Sequence, residues 1–472
     1  MHLRRWPIRY AATGWLYLVA AMLHGQSVAP SPAGSTDIAA EHEFQAAMAA
    51  EDKGDLDQAA SLLLDLHRKH PGNFAVDESL GLIYVAGEKF AEALPLLQAA
   101  AQEQPASDIA HANLGAAYFN LHRNSEALAE FEGAAKINPE NTATQQALGQ
   151  LWMEAHQPDR AAQAFSHALA LSPGTVDLQL SLAQALSDAN QTGKAAEILA
   201  SIKDADQSAT AQSLLGDIAE KSGAYRDAAQ HYIRASQLDP SESNIWALGL
   251  EFLRHWTFDA AVPEFEAAVV KFPFSTRMKL GLGAAYFGNG SYGKALPVFA
   301  ELLESYPDNS LYAEMLGQSC TAVMQETQQR CALLLHYADA HPNDAKAATY
   351  AAATLISGVE TPEQTQRARK LLEHAIAIDP KLGEARYQLG LLKQNESDWT
   401  GSISDLEAAV ALKPTYAKAH YRLALAYWRS GRKQDGEAEI ELEKKYAKQD
   451  AEDLDQQMRQ ITRFLVDVHS PK

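Results

Sequence analysis

Proline recurs along this chain at a fixed interval. Pro71, Pro105, Pro139 and Pro173 stand 34 residues apart, and the same interval separates Pro273 from Pro307 and Pro380 from Pro414. A unit of that length holds two short helices and their turns, but it cannot bury an apolar face alone. Self-similarity at this period therefore means one helical hairpin stacked many times, an all-α solenoid in which each unit touches its neighbours.

A second pattern runs inside the first. Counting back from these prolines lands on a small residue in the first helix for all but Pro380 (Ala47, Gly81, Gly115, Gly149, Gly249, Gly283, Gly390) and again in the second (Ala59, Ala93, Ala127, Ala161, Ala261, Ala295, Ala368), with Ser402 as a departure. Small residues at both places let the two backbones approach to the short end of the usual helix separation, about 8 to 10 Å. The order Leu80-Gly81, Tyr84, Ala93, Leu97, Ala100, Pro105 returns as Leu114-Gly115, Tyr118, Ala127, Phe131, Ala134, Pro139. This order resembles the tetratricopeptide repeat over roughly residues 40 to 447. The resemblance implies a right-handed superhelical solenoid of about twelve hairpins with a capping helix at its C-terminal end.

Irregularities divide the array. The fifth unit closes at Gln207 without a proline, and Pro173 to Pro240 is one residue short of two periods. After Pro307 the gaps lengthen to 35 and 38, with extra residues near Cys331 and in Gly358 to Pro362. Glycine and proline within five residues break helices, so a longer loop belongs there. The division expected is an N-terminal array of eight repeats at 40–307, a distorted repeat and hinge at 308–363, a C-terminal array at 364–447, and a capping helix and tail at 448–472. In the tail Met458, Ile461, Phe464, Leu465 and Val468 share one helical face, fit to cover the last apolar face of an array or to bind a partner.

Residues 1–29 stand outside the repeats. Arg4, Arg5 and Arg9 precede the mostly apolar run Ala11 to Leu23, and small or polar residues follow from Gly25 to Ala29. That order reads as a secretory signal peptide, cleaved or kept as an anchor, and the run is shorter than the about 20 residues of a spanning helix. Residues 30–39, with Pro30, Pro32 and Gly34, read as a linker. The expected location is exported, periplasmic or secreted, with membrane contact through an uncleaved signal at most. Both cysteines, Cys320 and Cys331, fall in the distorted repeat, where an oxidising compartment favours a disulfide and packing as two buried thiols is the alternative. A net charge of −20 argues against nucleic acid, whose phosphates demand a basic surface.

The sequence predicts no enzyme, no metal site and no cofactor. Gly288-Asn289-Gly290-Ser291-Tyr292-Gly293-Lys294 mimics a phosphate loop, but Ala295 replaces the hydroxyl and no strand precedes it; the stretch is the turn of a well-matched hairpin. The sixteen histidines form no metal spacing. A clamp for a C-terminal carboxylate, with Lys and Asn one helical turn apart in some members of the family, is also missing: Glu78 and Leu82, Ala112 and Ala116, and Gln146 and Gln150 stand there.

In proteins that this chain resembles, the first helix of each hairpin lines a concave groove. Carried over by position, the groove presents Trp246, Leu250, Leu253, Leu280 and Phe287 in the seventh and eighth units. In the last two it presents Tyr387, Leu391, Tyr421, Leu425 and Trp428, with Arg386, Lys418, Arg422 and Arg429 around them. Rigidly held aromatics are what binding hot spots are made of. The function expected is a scaffold that binds peptide or helical segments of protein partners in a cell-envelope assembly. A glycan- or peptidoglycan-associated binding protein and an accessory subunit of a separate enzyme are the alternatives.

Overall fold

The computed structural model describes residues 38–323, 328–357 and 361–448. The signal segment 1–29, nearly all of the linker 30–39, the stretch Gly358 to Glu360 and the tail beyond Lys448 lie outside the described residues. Every regular element among the described residues is helical, as the repeat pattern requires. None of these helices is long and apolar enough to cross a membrane.

The chain divides into two compact units, the first ending at Gly223 and the second beginning at Ala224. In the first unit the helices pair as α1 (Ile38–Glu51) with α2 (Leu56–Lys69), α3 (Phe74–Ala86) with α4 (Phe90–Glu103), α5 (Asp108–Asn120) with α6 (Asn124–Ile137), and α7 (Thr142–Glu154) with α8 (Pro158–Leu171). The pair α9 (Val176–Asp188) and α10 (Thr192–Ala200) and the single helix α11 (Ala209–Lys221) complete it. The second unit opens with α12 (Tyr225–Leu238), followed by α13 (Glu242–Arg254) with α14 (Phe258–Lys271) and α15 (Thr276–Gly288) with α16 (Tyr292–Ser305). Next come α17 (Ser310–Val323), the short α18 (Gln328–Cys331) and α19 (Leu333–Ala340). The unit closes with α20 (Ala345–Ile356) on α21 (Pro362–Ile378), α22 (Gly383–Asn395) on α23 (Trp399–Leu412), and α24 (Ala417–Arg429) followed by helical residues 433–448.

Local chemistry marks the ends of many of the helices. Asn73, Ser107, Asn141, Ser208, Ser241, Ser275 and Asp344 each accept a hydrogen bond from a backbone N–H in the first turn of the helix that follows. At the turn inside most hairpins one residue is left-handed: Glu88, His122, His156, Asn190, Trp256, Gly290, Ser397 and Gly431, with φ between 57° and 80°. The next residue's N–H then reaches back across the helix end, as from Lys89 to the Tyr84 carbonyl at 2.7 Å and from Gln157 to the Trp152 carbonyl at 2.8 Å. That closed ring holds side chains as bulky as His156 and Trp256 in a conformation that glycine otherwise favours.

The glycines of the first helices are filled from sixteen residues on. A Cβ on Gly81 would meet the Leu97 side chain at 2.7 Å, one on Gly149 would meet Phe165 at 2.5 Å, and one on Gly249 would meet Phe265 at 2.3 Å. The small residues of the second helices, Ala59 to Ala368 and Ser402, are all fully buried. The core is thus a row of large side chains, each seated on the backbone of its hairpin partner.

The irregular units have local causes. The helix α10 is only nine residues long; the chain then turns through Asp204, left-handed at φ 57°, and the short 3-10 turn Ala205–Gln207, before Ser208 caps α11. In the ninth hairpin the second helix is split into α18 and α19, and Cys320 is bonded to Cys331 with a Cα separation of 6.0 Å. Gly317 there is filled by Tyr350 of α20 instead of by its own hairpin. The tenth hairpin absorbs part of its extra length in α21, which runs 17 residues from a capping box of Thr361 and Gln364. The stretch 308–363 lies inside the second unit.

Candidate functional site

In the second unit α13 and α15 pack side by side, each the first helix of its hairpin. Trp246 projects from α13, half-buried. Phe265 of α14 meets it edge-on, with ring centroids 5.9 Å apart. The guanidinium of Arg277, from the start of α15, lies 5.5 Å from the indole centroid. Arg277 also donates to Glu242 at 3.2 Å through Nε and approaches the same oxygen at 3.1 Å through Nη2. The indole is therefore held between an aromatic edge and a cation that is itself tied down. Leu250, Leu253, Leu280 and Phe287 are all half-buried, and Phe287 packs edge-on against Tyr292 at 5.0 Å. Arg277 and Glu242 lie outside the slots that sequence position selects, because the contact that recruits them forms between consecutive hairpins.

The second patch is split by burial. Tyr387 and Leu391 of α22 are each 7% exposed: α24 lies on α22 and takes them into the core. Tyr387 packs against Tyr416, with centroids 5.0 Å apart. Tyr421 and Trp428, by contrast, are 45% and 40% exposed, with Leu425 half-buried beside them. Lys418 and Arg429 are exposed, and the Arg429 guanidinium lies over Trp399 at 5.6 Å. Arg386 is not available as a groove cation. It donates to Asp405 at 2.9 Å, and Lys393 reaches the other oxygen of the same carboxylate at 2.5 Å.

A cluster of phenols braces the last hairpins. The Tyr416 hydroxyl donates to Glu384. Burial, reinforced by that carboxylate, pushes the Tyr416 phenol well above its ordinary value. Burial also raises Tyr387, against the pull of the Arg422 guanidinium, and pushes Tyr350 up to about 12. A phenol that ionises later in the fold than in the unfolded chain adds stability in full below the unfolded value near 10, and that stability is lost as pH rises from there through about 12. Urea midpoints are expected to drop steadily over that window; a flat midpoint would mean that the phenols are solvated.

The glycine-rich stretch Gly288 to Lys294 spans the end of α15, the turn at 289–291 and the start of α16. Gly288 leaves room for the Phe258 ring, which a Cβ would meet at 2.2 Å, and Gly290 takes φ 76°. Packing and turn geometry thus account for both glycines. Glu78, at one of the clamp positions, is buried and accepts from Asn113 at 3.0 Å.

Several large apolar side chains that position alone passes over stand in solvent, among them Trp256, Val270 and Phe274. A signal for the last two does exist in the sequence, since the same slots one period later hold Glu304 and Asp308.

Family models described as tetratricopeptide repeat match residues 84–151 and 153–218, and residues 44–108 and 247–310; one described as TPR repeat matches 395–431. Together the matches take in more than half of the chain. No curated protein matches it. Among solved structures, Pseudomonas aeruginosa pilF is 18% identical over 44% of this chain and 95% of its own, with a TM-score of 0.37. A tetratricopeptide repeat protein from Parabacteroides merdae is 18% identical over 59% of this chain and 98% of its own, with a TM-score of 0.35. YrrB, described as a TPR protein with an unusual peptide-binding site, is 17% identical over 40% and 97%, with a TM-score of 0.37.

Proposed function

Because the chain belongs to the tetratricopeptide repeat family, we propose that it is a protein-interaction scaffold, binding an extended or helical partner segment along the adjoining faces of α13 and α15. The observation that carries this is Trp246, a half-buried indole already clamped by Phe265 and Arg277. A side chain ordered before binding loses little further entropy when a partner arrives, which is what makes such an aromatic an anchor. Leu250, Leu253, Leu280 and Phe287 supply apolar surface around it, so the partner chemistry that fits is an apolar side chain flanked by a group able to meet Arg277. The role is binding, not catalysis.

The reading extends to an exported scaffold of a cell-envelope assembly. It is supported by the basic-then-apolar order of residues 1–29 and by the Cys320–Cys331 bond, of a kind that persists in oxidising compartments. Trp246→Ala is expected to weaken capture of the partner from envelope extract by about thirtyfold, as for a hot-spot residue, with the helical circular dichroism signal unchanged. Parallel loss of helical signal would make Trp246 a core residue and remove the site. Capture that a competing partner peptide fails to displace would point to a glycan instead.

A further inference from the structure

Three stretches of the chain read Asn-x-Ser/Thr with x other than proline: Asn190-Gln191-Thr192, Asn289-Gly290-Ser291 and Asn395-Glu396-Ser397. In an exported protein that pattern marks an asparagine able to carry an oligosaccharide, provided that it lies on the surface in a turn or loop. All three fall at the turn inside a hairpin, but their backbones and amides differ. Asn395 is the last residue of α22, so its backbone is helical. The Asn289 amide is spent on Asp259, to which it donates at 2.7 Å. Asn190 is exposed and takes the left-handed position of the turn between α9 and α10, at φ 61°.

The fold does not call for either residue of this motif. Asparagine tolerates a left-handed backbone well, yet the same slot holds Glu88, His122, His156 and Trp256 in other hairpins. Two positions on, where Thr192 opens α10, the other hairpins carry Phe90, Asn124, Pro158 and Phe258. Backbone bonds fix the turn whatever the side chains are: the Asn190 N–H donates to the Ser187 carbonyl at 3.0 Å and the Gln191 N–H to the Leu186 carbonyl at 2.8 Å. The polar neighbours of Asn190 are engaged elsewhere. Gln191 donates to Asp159 at 3.0 Å and accepts from Lys194 at 2.9 Å, whereas Asp188 accepts from Gln184 at 2.8 Å and from Lys221 at 3.2 Å. A rigid turn thus presents Asn190 to solvent with Thr192 beside it.

We propose that Asn190 is an N-glycosylation acceptor, taking an oligosaccharide from a polyprenyl diphosphate donor outside the cytoplasm; this rests on the reading of the chain as exported. In the transfer the Asn190 Nδ2 bonds to the anomeric carbon of the first sugar. The bond from that carbon to the diphosphate oxygen breaks, the diphosphate leaves with the electron pair, and the amide gives up one proton. Because the turn is closed by backbone bonds alone, the glycosylated chain keeps its hairpin. The glycan adds bulk and solvation beside the shortened helix α10.

Peptide mass spectrometry tests it on the full chain, purified from the cells that make it after separation of envelope and cytoplasmic fractions. The peptide that contains Asn190 is expected to carry a sugar mass in the envelope fraction. Asn190→Gln and Thr192→Val should each abolish that mass, whereas Thr192→Ser, which keeps the hydroxyl, should retain it. Circular dichroism should be the same for all three variants, since the exposed turn holds no core contact. An unmodified Asn190 peptide from envelope protein would overturn the acceptor and leave the exported reading standing. An unmodified peptide from protein found only in the cytoplasm would overturn both. A sugar mass that survives Thr192→Val would overturn the motif as its cause.

Discussion

Phe265→Ala is expected to cost the second unit about 3–5 kcal/mol in denaturant unfolding, the range for deleting a fully buried phenyl ring. The ring is fully buried and sits on two backbones at once: a Cβ on Gly249 would meet it at 2.3 Å, and so would one on Gly281. Neither glycine carries a side chain that could swing into the vacated space, so the cavity stays open and the loss lies toward the upper end. The converse substitution makes the same point from the other side. Gly249→Ala should cost about 1–3 kcal/mol by overpacking, and much less in the Phe265→Ala background, where the added methyl has room. Additive losses in the double variant would mean that the ring and the glycine do not share that space. Because Trp246 leans on the same ring, Phe265→Ala should also loosen the indole that the proposed site presents.

Opening the Cys320–Cys331 bond is expected to cost about 3 kcal/mol, the loop-closure entropy for so short a separation. The ninth hairpin depends on that staple more than a regular one would. Its second helix is split at Cys331, and its glycine, Gly317, is filled by the next hairpin instead of its own. Reduction, or Cys320→Ser with Cys331→Ser, should therefore lower the unfolding midpoint and speed exchange first in α17 to α19. Identical midpoints for oxidised and reduced protein would show that the bond constrains nothing beyond what packing already does.

Much of the architecture was legible in the chain itself. Each first-helix glycine that meets its own hairpin partner finds it sixteen residues on, within the closely packed hairpins that small residues at both positions led one to expect. The shortened α10 and the split ninth hairpin fall where the proline rhythm slips. The left-handed beat at most of the described hairpin turns was hidden, because Glu88, His122, His156 and Trp256 carry no glycine signal; hydrogen bonds across the helix end hold those residues there. The candidate site was half legible. Trp246 and its apolar neighbours were found from their slot, whereas Arg277 and Glu242 were not, since they meet the indole only when one hairpin stacks on the next.

Tyr387 and Tyr421 mark the boundary between the two kinds of knowledge. Both are tyrosines in the same slot of consecutive repeats, and position alone assigns both to a groove. One is 7% exposed and the other 45%. Period, small-residue spacing and turn chemistry are properties of a single hairpin, so the sequence determined the fold by itself. Burial in a solenoid is a property of the neighbour, so only the stacked structure could decide which of two identical residues is core and which is surface.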